Sequence, residues 1–235
     1  MVSNMFTDCI LCYTLCQAFP SRGCGESAIM GASMNTETAS LQEKRREKRI
    51  REILSAALDV FTEKGYPKTT MDDIAERALL TRPALYKYFR DKQSILKALV
   101  EWKMEELIAE FEAIAGDGPR GFEPQLRRLV RSAIAFQKQN RGAFHALLTA
   151  NSLPSLTKDE RFVALKNRLV GVVAGILQKG IDAGEVRPEP AHDLAELFLS
   201  LLFHPAAKGF VEPDNEDAYD GRLIERVFLY GVAAR

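Results

Sequence analysis

The chain has 235 residues, 46% hydrophobic and 27% charged, and its 32 Lys and Arg balance 32 Asp and Glu for a formal net charge of zero. That length suits one large helical domain or a small domain joined to a larger one, and no apolar run reaches the roughly 18 residues that span a bilayer. Zero net charge argues against a surface that is basic throughout, but residues 44–103 hold 15 Lys and Arg against 9 Asp and Glu, a local excess of +6.

Residues 1–42 show no sustained period and are rich in Gly, Ser, Thr and Asn over 21–40, so they read as a disordered extension that cannot repay the entropy of ordering. Cys9, Cys12, Cys16 and Cys24 all fall here. Cys9 and Cys12 form a CxxC, but no second pair or nearby histidine completes a zinc site, so no metal is expected. The apolar stretch 10–19 follows Asp8 rather than a basic run, which fits a signal peptide poorly and points to a cytoplasmic protein.

A basic run, Lys44, Arg45, Arg46, Lys48 and Arg49, opens the first periodic segment, where DNA phosphates are the partner its charge suits. From about residue 43 to 64, Ile50, Ile53, Leu54, Ala57 and Phe61 recur on one helical face, and Gly65 offers a stop. Two short helices follow. Thr70 can cap the first, with Asp73 returning the capping bond, and Ile74, Ala75 and Ala78 face inward. Leu79 and Leu80 carry the turn, and Thr81 can cap the second helix, which tolerates Pro83 in its first turn. Helices this short need a core supplied by longer neighbours. The result is a tri-helical domain over residues 43–91 whose second short helix would enter a DNA major groove. Leu85 and Phe89 face its core. Arg82 and Lys87 can donate to guanine acceptors, while tyrosine hydroxyls can reach the backbone.

Residues 92–235 read as a larger all-helical domain. A helix from about 92 to 114 is longer than the small domain needs, so it belongs to both. An effector cavity is expected among Trp102, Phe111, Phe136, Phe144, Leu148, Leu169 and Val173, with Arg141 or His145 as its polar contact. Such a lining suits a mostly apolar or aromatic ligand, with room for an anionic group. Residues 190–203 are apolar around most of a helical circumference, so that helix must bury more than one face. Together with the helix over 221–232 it offers a homodimer surface built from Leu194, Leu197, Phe198, Leu201, Leu202, Leu223, Val227 and Tyr230. Residues 204–221 are acidic, contain Pro205 and Pro213, and read as a loop.

Residues 50–92 resemble the DNA-binding domain of the TetR/AcrR family of transcriptional regulators. The likeness rests on Ala57, Phe61, Gly65, Thr70, Ile74 and Ala75, the LYKYF run over 85–89, and Lys92 in RDK. It implies a homodimer on palindromic double-stranded operator DNA, most often a repressor, with a C-terminal domain that receives a small ligand or a partner. It also implies phosphate contacts from Thr70, Tyr86, Tyr88 and Lys92, a packing role being the alternative for Tyr88, and base-edge positions at Thr81, Arg82, Ala84 and Lys87. Two residues depart from the pattern. Leu79 stands where the family usually has glycine, and Pro83 where a small residue is common.

The sequence argues against an enzyme. His145, His192 and His204 are widely spaced, and the chain lacks a Walker loop, a GxSxG elbow and a glycine-rich dinucleotide turn, so no cofactor is implied. The competing reading is a dimeric protein-interaction module without an effector pocket. Arg82, Lys87 and the upstream basic run favour DNA.

Overall fold

The computed structural model describes residues 27–117, 121–150, 156, 158–211 and 221–232. Its helices are α1 (Ser27–Lys64), α2 (Met71–Arg77), α3 (Arg82–Tyr86), α4 (Lys92–Asp117), α5 (Phe122–Gln139), α6 (Arg141–Thr149), α7 (Glu160–Asp182), α8 (Ala191–Val211) and α9 (Gly221–Val232). There is no strand among the described residues, and the fold is all-α. Two boundaries differ from the periodic reading. α1 begins at Ser27, upstream of its first apolar repeat, because an established helix propagates at one hydrogen bond per added residue without needing an apolar face. α8 continues through Pro205 to Val211, so residues 204–211 are helical where a loop is expected, and the remainder of that expected loop, 212–220, lies outside the described residues. A proline removes one intrahelical donor and bends a helix without having to end it. The four cysteines and the rest of residues 1–26 lie outside the described residues.

The chain divides into a unit ending at Arg49 and a unit starting at Ile50. In the first, residues 41–48 of α1 are exposed helical surface. In the second, two hydrophobic clusters form. One gathers Ile53, Leu54, Ala57 and Phe61 of α1, Ile74 of α2, Leu85 of α3 and Ile95, Leu96 and Leu99 of α4. The other gathers Leu107, Ile108, Phe111 and Ile114 of α4 with Leu126 and Leu129 of α5, Leu169 and Val173 of α7, Phe198 and Leu202 of α8 and Phe228 of α9. α4 therefore supplies apolar side chains to both. Each fully buried Leu, Ile or Phe contributes about 1.5–3 kcal/mol, which is what holds a seven-residue and a five-residue helix in place. α6 joins the first cluster through Ala143 and Ala146. Its Gly142 lies so close to α1 that a Cβ there would come within 1.9 Å of Thr62 Oγ1 and 3.0 Å of Thr62 Cα. The start of α7 is fastened to α4 by ion pairs, Lys97 to Asp159 at 2.5 Å and Arg161 to Glu105 at 2.9 Å.

The turn between α2 and α3 is a complete Schellman motif. Leu80 N–H donates to the Ala75 carbonyl at 2.8 Å and Leu79 N–H to the Glu76 carbonyl at 3.1 Å. The motif needs a left-handed residue between them, and Leu79 takes it at φ 53°, the one positive φ at a non-glycine residue among those described. Its side chain is 91% exposed, so no burial offsets the steric cost. Leu79→Gly should therefore raise stability in denaturant unfolding by up to about 1 kcal/mol, the left-handed penalty reduced by glycine's greater chain entropy. Leu79→Ala, which keeps a Cβ at the same φ, should leave stability nearly unchanged. A glycine variant no more stable than the alanine variant would show that the turn stores no strain.

Candidate nucleic-acid interface

α2 is locked at its start by a capping box. Thr70 Oγ1 accepts from Asp73 N–H at 3.2 Å, and Asp73 Oδ2 accepts from Thr70 N–H at 2.8 Å and from the Thr70 hydroxyl at 2.7 Å. The Lys64 ammonium, at 2.6 Å, together with the Thr70 hydroxyl and N–H holds the Asp73 carboxyl far below the usual carboxylate range. The proton Thr70 would offer a phosphate is thus spent on the cap. Arg77 ties the other end of α2 to Glu63 and Asp59 of α1.

α3 is capped by Thr81, whose Oγ1 accepts from Ala84 N–H at 3.4 Å, with Pro83 in the first turn. Leu85 is fully buried and Phe89 nearly so. Anchoring α3 on Leu85 leaves Thr81, Arg82, Tyr86 and Lys87 exposed and Ala84 half-buried. Tyr88 is half-buried and packs on the first cluster, so its ring serves the core. The Arg82 guanidinium donates to Asp72 Oδ2 at 3.2 Å and lies 5.7 Å from the centre of the Tyr86 ring. This outer row offers the donors that guanine O6 and N7 accept, with a phenol hydroxyl beside them for a phosphate. In the unit ending at Arg49, Lys44, Arg45, Arg46 and Lys48 are exposed on α1, and Arg49 is half-buried with an interaction of its own.

Lys92 differs from its expected role. Its ammonium donates to the carbonyls of Tyr66 at 2.6 Å and Thr69 at 2.7 Å and sits 4.3 Å from the centre of the Tyr66 ring. Burial there pushes its pKa down. The α1–α2 loop leaves these carbonyls without helical partners, the Tyr66 carbonyl accepting only from Thr69 N–H at 3.3 Å besides, and Lys92 donates to both, so its ammonium is engaged as a loop clasp. Spacing alone could not reveal this, because the carbonyls lie more than twenty residues upstream. Asp72 was also missed. Its only sequence signal, an acid in a helix's first turn, is accounted for by the helix dipole.

A cavity of about 400 Å³ opens among α4, α5, α6, α7 and α8. Of the expected lining, Phe136, Phe144 and Leu169 are there, whereas Trp102, Phe111, Arg141, His145 and Val173 are not. Leu148 lies outside the residues whose side chains are described. The reason is helical phase. Val100, Lys103, Met104 and Leu107 share one face of α4, as Asn140, Ala143, Phe144 and Leu147 do across the start of α6. Trp102, Arg141 and His145 fall off those faces, and Phe111 and Val173 are sealed in the second cluster. The polar groups at the cavity are instead Lys103, Asn140, Lys166, Glu196 and Ser200.

The expected dimer surface also separates into two sets. Leu194, Phe198 and Leu202 recur at four-residue spacing and are buried within the subunit, where Phe198 meets Phe228 at a ring separation of 5.0 Å. They cannot line an interface. Leu197, Leu201, Leu223, Val227 and Tyr230 lie on the opposite faces of α8 and α9 and are exposed, Tyr230 by 77%.

Two capped helices joined by a Schellman turn, the second anchored inward by one leucine and carrying donors outward, are the architecture of a helix-turn-helix DNA-binding protein. A family profile described as bacterial regulatory proteins, tetR family, matches residues 53–99. The chain is 35% identical over 154 residues to the HTH-type transcriptional regulator SrpR of Pseudomonas putida, spanning 65% of this chain and 68% of that one. It is 28% identical over 168 residues to the uncharacterized HTH-type transcriptional regulator YfiR of Bacillus subtilis, covering 68% of this chain and 78% of YfiR. The fold is similar to that of SmeT, the repressor of the Stenotrophomonas maltophilia multidrug efflux pump SmeDEF, at a TM-score of 0.59 and 23% identity over 78% of this chain and 90% of SmeT. The chain belongs to the TetR family of bacterial transcriptional regulators, and DNA binding through the helix-turn-helix follows from that membership.

Lys92→Ala should lower the stability of the helix-turn-helix by about 1–3 kcal/mol, because it removes the ammonium from the Thr69 carbonyl and leaves the Tyr66 carbonyl only the Thr69 N–H. The salt dependence of DNA binding, measured well below the unfolding temperature, should stay as in the parent protein. A salt slope reduced by about one would instead mark Lys92 as a phosphate contact.

Proposed function

We propose that the protein acts as a homodimeric repressor whose paired α3 helices read a palindromic operator, and that a small apolar or aromatic effector in the α4–α8 cavity weakens that binding. The observation that carries the effector is a shared wall. Val100 and Ala143 belong to the cluster beneath the helix-turn-helix and also line the cavity, and Met104 packs on both clusters. A ligand that displaces these side chains acts directly on what supports α2 and α3, provided it binds the two arrangements with different affinity. The description of SmeT as a repressor supports that mode of action.

The chemistry of the cavity favours an uncharged ligand. Phe136, Phe144, Phe162 and Phe203 supply aromatic walls. Lys103 is paired with Glu106 at 2.9 Å and Lys166 with Glu196 at 3.3 Å, so an anionic group would have to displace a carboxylate already in place. The dimer rests on the exposed stripe of Leu197 and Leu201 on α8 and Leu223, Val227 and Tyr230 on α9. A patch of this kind calls for a partner surface, and a two-fold pairing would bury it while placing two α3 helices about 34 Å apart, one turn of duplex. The basic residues 44–49 would add affinity through phosphates without much specificity.

Leu201→Glu should convert a dimer into a monomer in sedimentation equilibrium at micromolar concentration. It should also lower affinity for a duplex enriched from a random-sequence pool by about 100-fold or more, as the second half-site no longer adds to the first. An intact chain that sediments as a monomer under the same conditions overturns the dimer.

For the effector, 1-naphthol and 1-naphthoate provide an uncharged and an anionic probe of one shape. Naphthol should bind about tenfold more tightly or better, since the carboxylate lacks a free counter-charge. At saturation it should weaken operator binding by about 5- to 150-fold. Naphthol binding with operator affinity unchanged removes the regulatory role, and tighter binding of naphthoate removes the uncharged-ligand reading.

A further inference from the structure

Asp72 is an unusual neighbour for a DNA-reading helix. It stands in the first turn of α2, 61% exposed, across the Schellman turn from the equally exposed Arg82. A carboxylate near the phosphate backbone repels DNA of every sequence alike, so alone it lowers affinity. Its contact is what distinguishes it. Asp72 Oδ2 accepts from Arg82 Nη1 at 3.2 Å, while the Tyr86 ring lies on another side of the same guanidinium, 5.7 Å from ring centre to Cζ. Both holders stand on fixed backbone. Asp72 sits in a turn locked by the Thr70–Asp73 capping box, and Tyr86 follows Leu85, which is fully buried.

We propose that Asp72 is a positioning residue for sequence readout: it holds the Arg82 guanidinium in one orientation, so that the remaining N–H groups meet a guanine edge as a fork already aligned. An arginine side chain otherwise loses much rotamer freedom when it makes a bidentate base contact. Fixing it beforehand lowers that loss only where a guanine is present to accept, while the carboxylate's repulsion remains on all other DNA. The two effects together widen the gap between operator and random sequence. The proposal rests on α3 reading bases through Arg82, which Arg82→Ala tests separately.

The experiment compares Asp72→Asn with the parent protein on a duplex enriched by the parent from a random pool, on scrambled duplex, and in a repeated selection. The substitution keeps the shape of the side chain and removes its charge. Scrambled DNA should bind slightly more tightly and the operator-to-scrambled ratio should fall by about threefold to tenfold. In the selection, preference should relax at one base pair of each half-site and hold at the others, which a general loosening of the helix pair would not produce. In an Arg82→Ala background the same substitution should leave the ratio unchanged. If both duplexes gain affinity by one factor, Asp72 is only a repulsive charge and the proposal falls. A preference that weakens evenly at every position, or a further loss in the Arg82→Ala background, overturns it as well. Asp72→Ser repeats the test should the asparagine variant melt well below the parent. If Arg82→Ala itself leaves operator preference intact, the base contact of Arg82 falls first, which separates the two failures.

Discussion

Helices of seven and five residues do not persist in water, and everything this protein does at DNA depends on making two of them persist. Burial of Ile74 and Leu85 against Phe61 of α1 and the first two turns of α4 supplies the stabilisation. Caps at Thr70 and Thr81 satisfy the orphan N–H groups, and a Schellman turn satisfies the carbonyls between them. Lys92 closes the remaining gap by donating to the α1–α2 loop. The exposed donors of α3 are therefore held by a frame whose helix ends and connecting loop are hydrogen-bonded.

The frame is not self-contained, because α4 is too long to belong to it alone. Ile95, Leu96 and Leu99 serve the helix-turn-helix, and Leu107, Phe111 and Ile114 serve the larger cluster. Where the two meet, packing is incomplete and a cavity remains, with Val100 and Ala143 on its wall. The close approach of Gly142 to Thr62 adds a second mechanical contact from α6 to α1. Interiors pack densely and do not deform continuously, so a molecule entering that cavity would press on side chains of both clusters.

Charge is used differently in different places. The paired lysines at the cavity leave it electrically quiet, while the outer row of α3 keeps its cation exposed and aims it with a carboxylate. Burial pushes the Glu101 carboxyl upward, and the Arg161 and Lys97 charges pull it back. That ion cluster anchors α7 to α4 beside the cavity.

Much of this was legible in the residues themselves. Periodicity marked the inner face of α1, cap residues marked both short helices, and Leu79, in the place where the resemblance puts glycine, marked the left-handed position of the turn. These are local effects, decided by neighbours within one or two helical turns. Tertiary structure decided the rest. Whether an apolar residue lines a cavity, fills a core or stays exposed depends on which helix stands opposite. Hence Phe111 and Val173 were assigned to the wrong surroundings, and Leu197 and Phe198, adjacent in sequence, have opposite fates. The surroundings of Lys92 and Asp72 are hidden from the sequence for the same reason. Their partners, the carbonyls of Tyr66 and Thr69 and the guanidinium of Arg82, come near only once the chain has turned back on itself.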